Sequence, residues 1–400
     1  MLIKRRTFLK VASLAAASLW VPRFLKAHAR PGALPTRGKA LVIVQLSGGN
    51  DGLNTVVPIH NDIYYRERPR LAIRASDALH LTDEAAFHPA LRGLKHLYDN
   101  GELAVLHNVG YPNPDRSHFR SMDIWHSASP AHEYWQTGWI GRYLDARCLP
   151  KSCTAPAIEL NDSVGLALKG QRYKGLAMRE PAELRAIAQN AYLLEYSSSK
   201  TTYELQETPL EYLYKTMNDA IAAADYIFEK SRVKPSSANY PDTPLGRQLR
   251  TVASLILSDA ETVVYYLSLG SFDTHINQLP QHQRLLSQLD AALAAFAADL
   301  RAQGRWKDVL VMTFSEFGRR VSQNASGGTD HGTANQMFFL GGALRRHGLL
   351  NALPNLADLE QGDLKFEVDF RQVYATVLEN WLEAKHQPIL GQHFPLLDFV

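Results

Sequence analysis

Apolar and polar positions along the chain fall into two alternating kinds of segment. Lys39 to Leu46 (KALVIVQL) is a short apolar, β-branched run that stops at Ser47-Gly48-Gly49-Asn50-Asp51-Gly52. An apolar run of that length, bounded by glycines, predicts a buried strand opening into a glycine-rich loop. Glu102 to Asn108, Thr262 to Leu269 and Asp308 to Phe314 read the same way, and Gln336 to Leu340 is a further strand candidate. Between them, Pro89 to Tyr98 and Gln281 to Gln303 carry apolar residues at helical spacing. A helix is expected over Ser117 to His126, after the turn Pro112-Asn113-Pro114-Asp115, and a last one over Asp369 to Ala384. Residues 180–232 read as mostly helical; a Pro/Ser/Asn-rich break over Val233 to Pro244 precedes another helix to Asp259. Strands alternating with helices predict one α/β domain over residues 30–400. Its sheet is mostly parallel and covered by helices on both faces, with a mostly helical insertion over residues 180–260.

The first 29 residues read differently. Lys4-Arg5-Arg6-Thr7-Phe8-Leu9-Lys10 leads into the apolar run Val11 to Val21, and Ala27-His28-Ala29 follows as a small-x-small cleavage site. A charged start, apolar middle and small-residue end predict an export signal, and the paired arginines point to the twin-arginine translocation machinery. The mature chain is therefore expected in the periplasm or secreted, with no permanent membrane span.

This segment also changes the charge. All 400 residues carry 43 Lys+Arg against 40 Asp+Glu, a formal +3. Residues 1–29 hold six of the basic side chains and no acid, which leaves 37 basic against 40 acidic. A nucleic-acid partner held by a generally basic surface is excluded. With 46% hydrophobic and 21% charged residues, disorder is excluded as well. The two cysteines, Cys148 and Cys153, could pair after export or remain separate thiols; their spacing is no redox or zinc motif.

Candidate chemistry gathers where the predicted strands end. Asp51, Asp273 and Glu316 each follow one, and Gly327-Gly328-Thr329-Asp330-His331-Gly332 precedes another. Ligands of open α/β sheets bind beyond the carboxyl ends of the strands. Acidic and imidazole side chains converging there suit a divalent metal. No Gly-x-Ser-x-Gly elbow, dinucleotide fingerprint or P-loop is present. The sulfatase signature fails too, since Cys148-Leu149-Pro150-Lys151-Ser152 lacks its arginine.

Several of these motifs carry a resemblance. Leu46-Ser47-Gly48-Gly49-Asn50-Asp51-Gly52-Leu53-Asn54, Arg116-Ser117-His118-Phe119, Phe272-Asp273-Thr274-His275, Ser315-Glu316-Phe317-Gly318-Arg319 and Gly328-Thr329-Asp330-His331-Gly332 resemble the bacterial DUF1501 family. The closing run Asp369 to Leu378 is similar as well. That family is placed in the alkaline-phosphatase-like superfamily, so the resemblance implies that core: a parallel sheet with a metal site at the strand ends. It implies Asp51, Asp273, His275, Glu316 and His331 as ligands of one or two divalent ions. Zinc is the first expectation, with magnesium, manganese and calcium as alternatives.

The nucleophile is expected at Ser117, at a helix start, with N-capping as its alternative role. Thr55 and Ser121 are further candidates. His118 is a candidate general acid or an outer partner of a ligand. Arg116, Arg120, Arg319 and Asn50 are candidates for binding an anionic substrate. One departure stands out: Ser315-Glu316 replaces the superfamily's Asp-His pair, which removes an imidazole and bears on a second metal. The function expected is an exported metal-dependent hydrolase of phosphate or sulfate esters. The alternative is a non-catalytic periplasmic or surface binding or assembly protein that keeps the fold.

Overall fold

The structure is a computed structural model and describes residues 38–148, 154–190 and 209–400. The export signal and Cys153 lie outside the described residues, and Cys148 is buried. In chain order the first strands are β1 (Ala40–Leu46), β2 (Val56–Pro58), β3 (Leu79–His80), β4 (Ala85–Phe87), β5 (Leu103–Gly110), β6 (Ala157–Glu159) and β7 (Leu176–Ala177). There follow β8 (Val264–Leu269), β9 (Val309–Phe314), β10 (Asn335–Leu340), β11 (Gly348–Leu349), β12 (Leu359–Glu360), β13 (Asp363–Leu364) and β14 (Val368–Asp369).

The main sheet runs β11-β5-β10-β9-β1-β8-β6-β7, with β14 also on β5. Its central strand shows why the chain folds this way. All seven residues of β1 are buried. Val42, Val44 and Leu46 join one core cluster with Leu249, Val252, Leu285, Leu289 and Phe296 from the helices Pro244–Leu257 and Gln278–Ala302. Leu41 and Ile43 join the opposite cluster with Trp139, Tyr143 and Tyr374 from the helices Trp139–Arg147 and Phe370–Thr376. Side chains alternate across a strand, so a run apolar at every position but Gln45 must be covered on both faces. The chain is thus an α/β protein with a mostly parallel sheet and helices around it, as expected.

Strand β10 is the exception to the parallel arrangement. It runs antiparallel to both β5 and β9, while β1 is parallel to β8 and β9. Its N-terminal end therefore lies at the carboxyl ends of β1, β8 and β9. This brings the loop before it, residues 315–334, to the same rim as the loops after those strands. The helix Pro244–Leu257, read from sequence as part of the insertion over residues 180–260, contributes instead to the core layer through Leu249 and Val252. Strand β6 and the edge strand β7 beside it were not expected; at three and two residues, they carry too short a pattern to be read.

Candidate metal centre

Four side chains converge at the carboxyl ends of β1, β8 and β9. Asp273 and His275 come from the loop after β8. His331 comes from the loop before β10, and His118 is the first residue of the helix His118–Ser127 that follows β5. His275 Nε2 lies 2.9 Å from Asp273 Oδ1, and His331 Nε2 lies 3.2 Å from the same oxygen. The two Nε2 atoms are 2.9 Å apart. His118 Nε2 is 3.5 Å from Asp273 Oδ2. His118, Asp273 and His331 each offer a ligand atom within 4.8 Å of the others.

The outward-facing ring nitrogens decide the chemistry. His331 Nδ1 is 2.8 Å from the Arg116 carbonyl, which can only accept, so this nitrogen carries the proton. His118 Nδ1 faces Glu316 Oε1 at 2.8 Å, and His275 Nδ1 faces Asp330 Oδ1 at 3.2 Å. In each neutral imidazole the remaining Nε2 is then a lone pair, and all three aim toward the Asp273 carboxylate. Lone pairs that close repel unless a proton or a cation lies between them. His118 Nε2 is buried and makes no hydrogen bond among the described residues.

Ligands about 2.0–2.1 Å from a tetrahedral zinc ion stand about 3.3 Å apart. The Nε2 atoms of His275 and His331 stand 2.9 Å from each other and 2.9 and 3.2 Å from Asp273 Oδ1, within a few tenths of an ångström of that spacing, and His118 Nε2 stands 3.5 Å from the other oxygen, Oδ2. A ligating histidine whose other nitrogen donates to a carboxylate or carbonyl is the usual outer arrangement of such sites. The donor set therefore fits a divalent metal of the zinc type.

Electrostatics agree. Burial alone would raise the Asp273 carboxyl, but the hydrogen bond and charge of Arg319, with the neighbouring His331 and His275 rings, bring it down to about 2. It is ionised at any working pH. The Glu316 hydrogen bond raises His118 despite its burial, and burial lowers His331.

Long-range contacts hold the loops in place. Arg319 is fully buried and donates to the carbonyls of Gly48, Gly49, Phe272 and Thr329 as well as to Asp273 Oδ1 at 2.8 Å. Gly48 sits at φ +118°, where its N–H donates to Glu316 Oε1 at 2.8 Å. A Cβ there would meet the Asp273 backbone nitrogen at 2.4 Å. The requirement for glycine is thus both conformational and steric.

Several expectations are corrected by this geometry. Asp51 is not among the converging ligands. It is buried, ion-paired with Arg68 at 2.6 Å, and also accepts from Gln278 and the Asn54 N–H. Burial would raise its carboxyl, and Arg68 chiefly holds it low. Glu316 serves His118 and Gly48 rather than facing Asp273. Arg120 turns away from the site: it donates to the carbonyls of Pro130, Ala131 and Glu133 and stacks 3.8 Å from the Tyr134 ring. Arg116 pairs with Asp363, and Arg319 spends its donors on loop carbonyls and Asp273. Arg120 and Arg319 are thus committed to protein acceptors, while Arg116 is exposed and engages Asp363 through Nη2.

Asn50 lies in a buried network, donating to Thr55 Oγ1 at 3.0 Å and accepting from His282 Nε2 at 3.0 Å. Thr55 and Ser121 are buried and hydrogen-bonded, Ser121 to the Glu316 carbonyl. Ser117 occupies the N-cap position of the helix, yet its side chain makes no cap bond and the residue is exposed. Sequence reasoning missed Arg68, Gln278 and Asp363. Arg68 lies in the basic run Arg66-Glu67-Arg68-Pro69-Arg70, which reads as surface, and nothing local marks the other two.

Among solved structures the chain is similar to the PsFucS1 sulfatase from Pseudoalteromonas sp., at 10% identity and a TM-score of 0.41, over 99% of this chain and 75% of that one. It is similar to a protein of the alkaline phosphatase superfamily from Vibrio parahaemolyticus, at 10% identity and a TM-score of 0.35, over 99% and 80%. A third similarity is to the C-terminal periplasmic domain of EcEptC from Escherichia coli in complex with Zn, at 10% identity and a TM-score of 0.33, over 79% and 78%. These likenesses are distant, and the reading of the site rests on its own geometry. No curated protein matches the sequence. A family model described as "Protein of unknown function (DUF1501)" matches residues 38–387, nearly the whole described chain, and the protein belongs to that family.

Proposed function

We propose that this protein is an exported, metal-dependent hydrolase of phosphate or sulfate esters, with His118, Asp273, His275 and His331 holding one divalent ion, zinc first. The observation that carries the reading is the three imidazoles. Each has Nδ1 tied to an acceptor, and their Nε2 atoms converge on an ionised carboxylate. A divalent ion held there supplies charge neutralisation and polarisation of an ester oxygen.

The chain's own residues do the rest. Asp330, Glu316 and the Arg116 carbonyl orient the rings. Ser117, exposed and not engaged in capping, precedes a ligand histidine and is the nucleophile of this reading. It stands at the N-terminus of a ten-residue helix, whose backbone N–H groups favour an anionic group. One ion rather than two is proposed, because Arg68 already neutralises Asp51. No described helix is long and apolar enough to cross a membrane; delivery through the twin-arginine machinery is proposed from the paired arginines of residues 1–29.

A second reading has its own support. The Asp51–Arg68 pair and Glu316 occupy positions where the superfamily resemblance implies metal ligands, as in a protein that keeps the fold for binding or assembly. The test is metal content by plasma mass spectrometry on natively exported protein, then a panel of phosphate and sulfate esters. About one equivalent of metal, lost in His331→Ala, with ester turnover abolished by Ser117→Ala while the metal stays, supports the hydrolase. Metal-free, well-folded wild type refutes it. Bound metal with no turnover across the panel favours the binding reading.

A further inference from the structure

We propose that Asp363 is a positioning residue for the metal centre, acting through Arg116 on His331; this rests on the metal-binding reading above. Asp363 lies on β13, in the β12–β13 hairpin, far along the chain from every candidate ligand. Its residue is fully buried, and its carboxylate pairs with two guanidinium groups, Arg116 through Nη2 and Arg320 through Nε at 3.2 Å. A buried carboxylate must be compensated by partners at fixed positions, so this anion sets where both arginines stand.

Both arginines lead directly to the centre. Arg116 is two residues before His118, and its carbonyl takes the His331 Nδ1 proton at 2.8 Å. That bond selects the tautomer leaving Nε2 free toward Asp273. Arg320 follows Arg319, donates through its side chain to the Gln361 carbonyl, and gives its backbone N–H to the Asp330 carbonyl at 3.0 Å. Asp330 in turn orients His275. One buried carboxylate thus clamps the segment before His118 to the turn that carries Asp330 and His331. Asp363 itself pairs with the two arginines and not with a candidate ligand, so its effect on a metal passes through ring orientation and tautomer.

The experiment uses the full chain, stripped and reloaded with zinc, and measures zinc affinity by competition with a chromogenic chelator. Asp363→Asn is expected to keep the stoichiometry at saturating zinc and to weaken affinity about 10–100-fold, as loss of an outer partner does. Asp363→Glu is expected to restore most of it. Asp299→Asn is the control: Asp299, buried on the helix Gln278–Ala302, accepts from Ser236 and Tyr240, and its loss should leave zinc affinity unchanged. Should Asp363→Asn fail to fold, Arg116→Gln carries the same expectation, since it frees the loop and leaves Asp363 paired with Arg320. Wild-type affinity in the folded variant overturns the inference, as does an equal loss in the Asp299 control. Absence of zinc in the wild type overturns the metal reading itself, and this inference with it.

Discussion

Arg68→Met tests whether Asp51 is a structural anion or a ligand. Both side chains are fully buried, and Arg68 Nη1 stands 2.6 Å from Asp51 Oδ2. Arg68 also donates to the carbonyls of Val321 and Arg320, each at 2.8 Å. Removing the guanidinium leaves a carboxylate in the core with Gln278 and the Asn54 N–H as its remaining partners. Breaking one side of a buried pair costs about 3–5 kcal/mol, because the surviving charge is uncompensated. For a chain of this size that corresponds to a fall in melting temperature on the order of 5–10 °C.

Asp51→Asn strands the arginine instead and is expected to destabilise similarly. The double variant should lose less than the two singles together, by about 1–3 kcal/mol, since neither charge is then left alone. The assay is thermal and urea unfolding of the four proteins, with metal content measured in parallel. Both folded single variants should keep their metal. Two results refute the reasoning: an Arg68→Met variant that melts with the wild type, or an Asp51→Asn variant that melts normally but loses its metal. The latter would make Asp51 a ligand after all.

Three further outcomes follow from the same structure. Glu316→Gln should retain one equivalent of metal but bind it about 10–100-fold more weakly, because the His118 ring loses its orienting carboxylate; unchanged affinity by chelator competition would remove Glu316 from that role. Gly48→Ala should destabilise by more than about 1 kcal/mol, since φ +118° and a 2.4 Å clash with Asp273 both oppose a side chain there, and its unfolding midpoint reads this directly. Burial lowers both His107 and His282 from 6.5 to about 4, so the unfolded chain takes up their protons first as the medium is acidified. Their contribution is complete above pH 6.5, falls between 6.5 and 4, and should amount to about 3 kcal/mol each. His107→Leu should flatten that part of the stability profile, and an unchanged slope between pH 7 and 5 would contradict it.

Much of the fold was legible because its cause is local. A strand covered on both faces must be mostly apolar, and β1, β8 and β9, each with a single polar residue (Gln45, Ser268 and Thr313), were found on that ground, each within two residues of the boundaries read from sequence. The loops after them were legible as sites for the same reason, since parallel strands place their carboxyl ends together. Strands β6 and β7 escaped because runs of three and two residues hold no period. The antiparallel sense of β10 escaped because direction within a sheet is written in no single strand.

The division at the site has a physical origin. Sequence by itself determined which chemistry gathers at the strand ends: the carboxylates, imidazoles and glycines are side chains of particular loops. It could not decide which carboxylate holds a metal and which balances a buried cation. Asp51 and Asp273 both follow strands and both are ionised acids. What separates them is Arg68, 17 residues beyond Asp51, and Gln278, 227 residues beyond it. His118 became a candidate ligand, and Glu316 its support, through a contact spanning 198 residues. A charged group takes its role from the nearest partner in space, and only tertiary packing decides which partner that is.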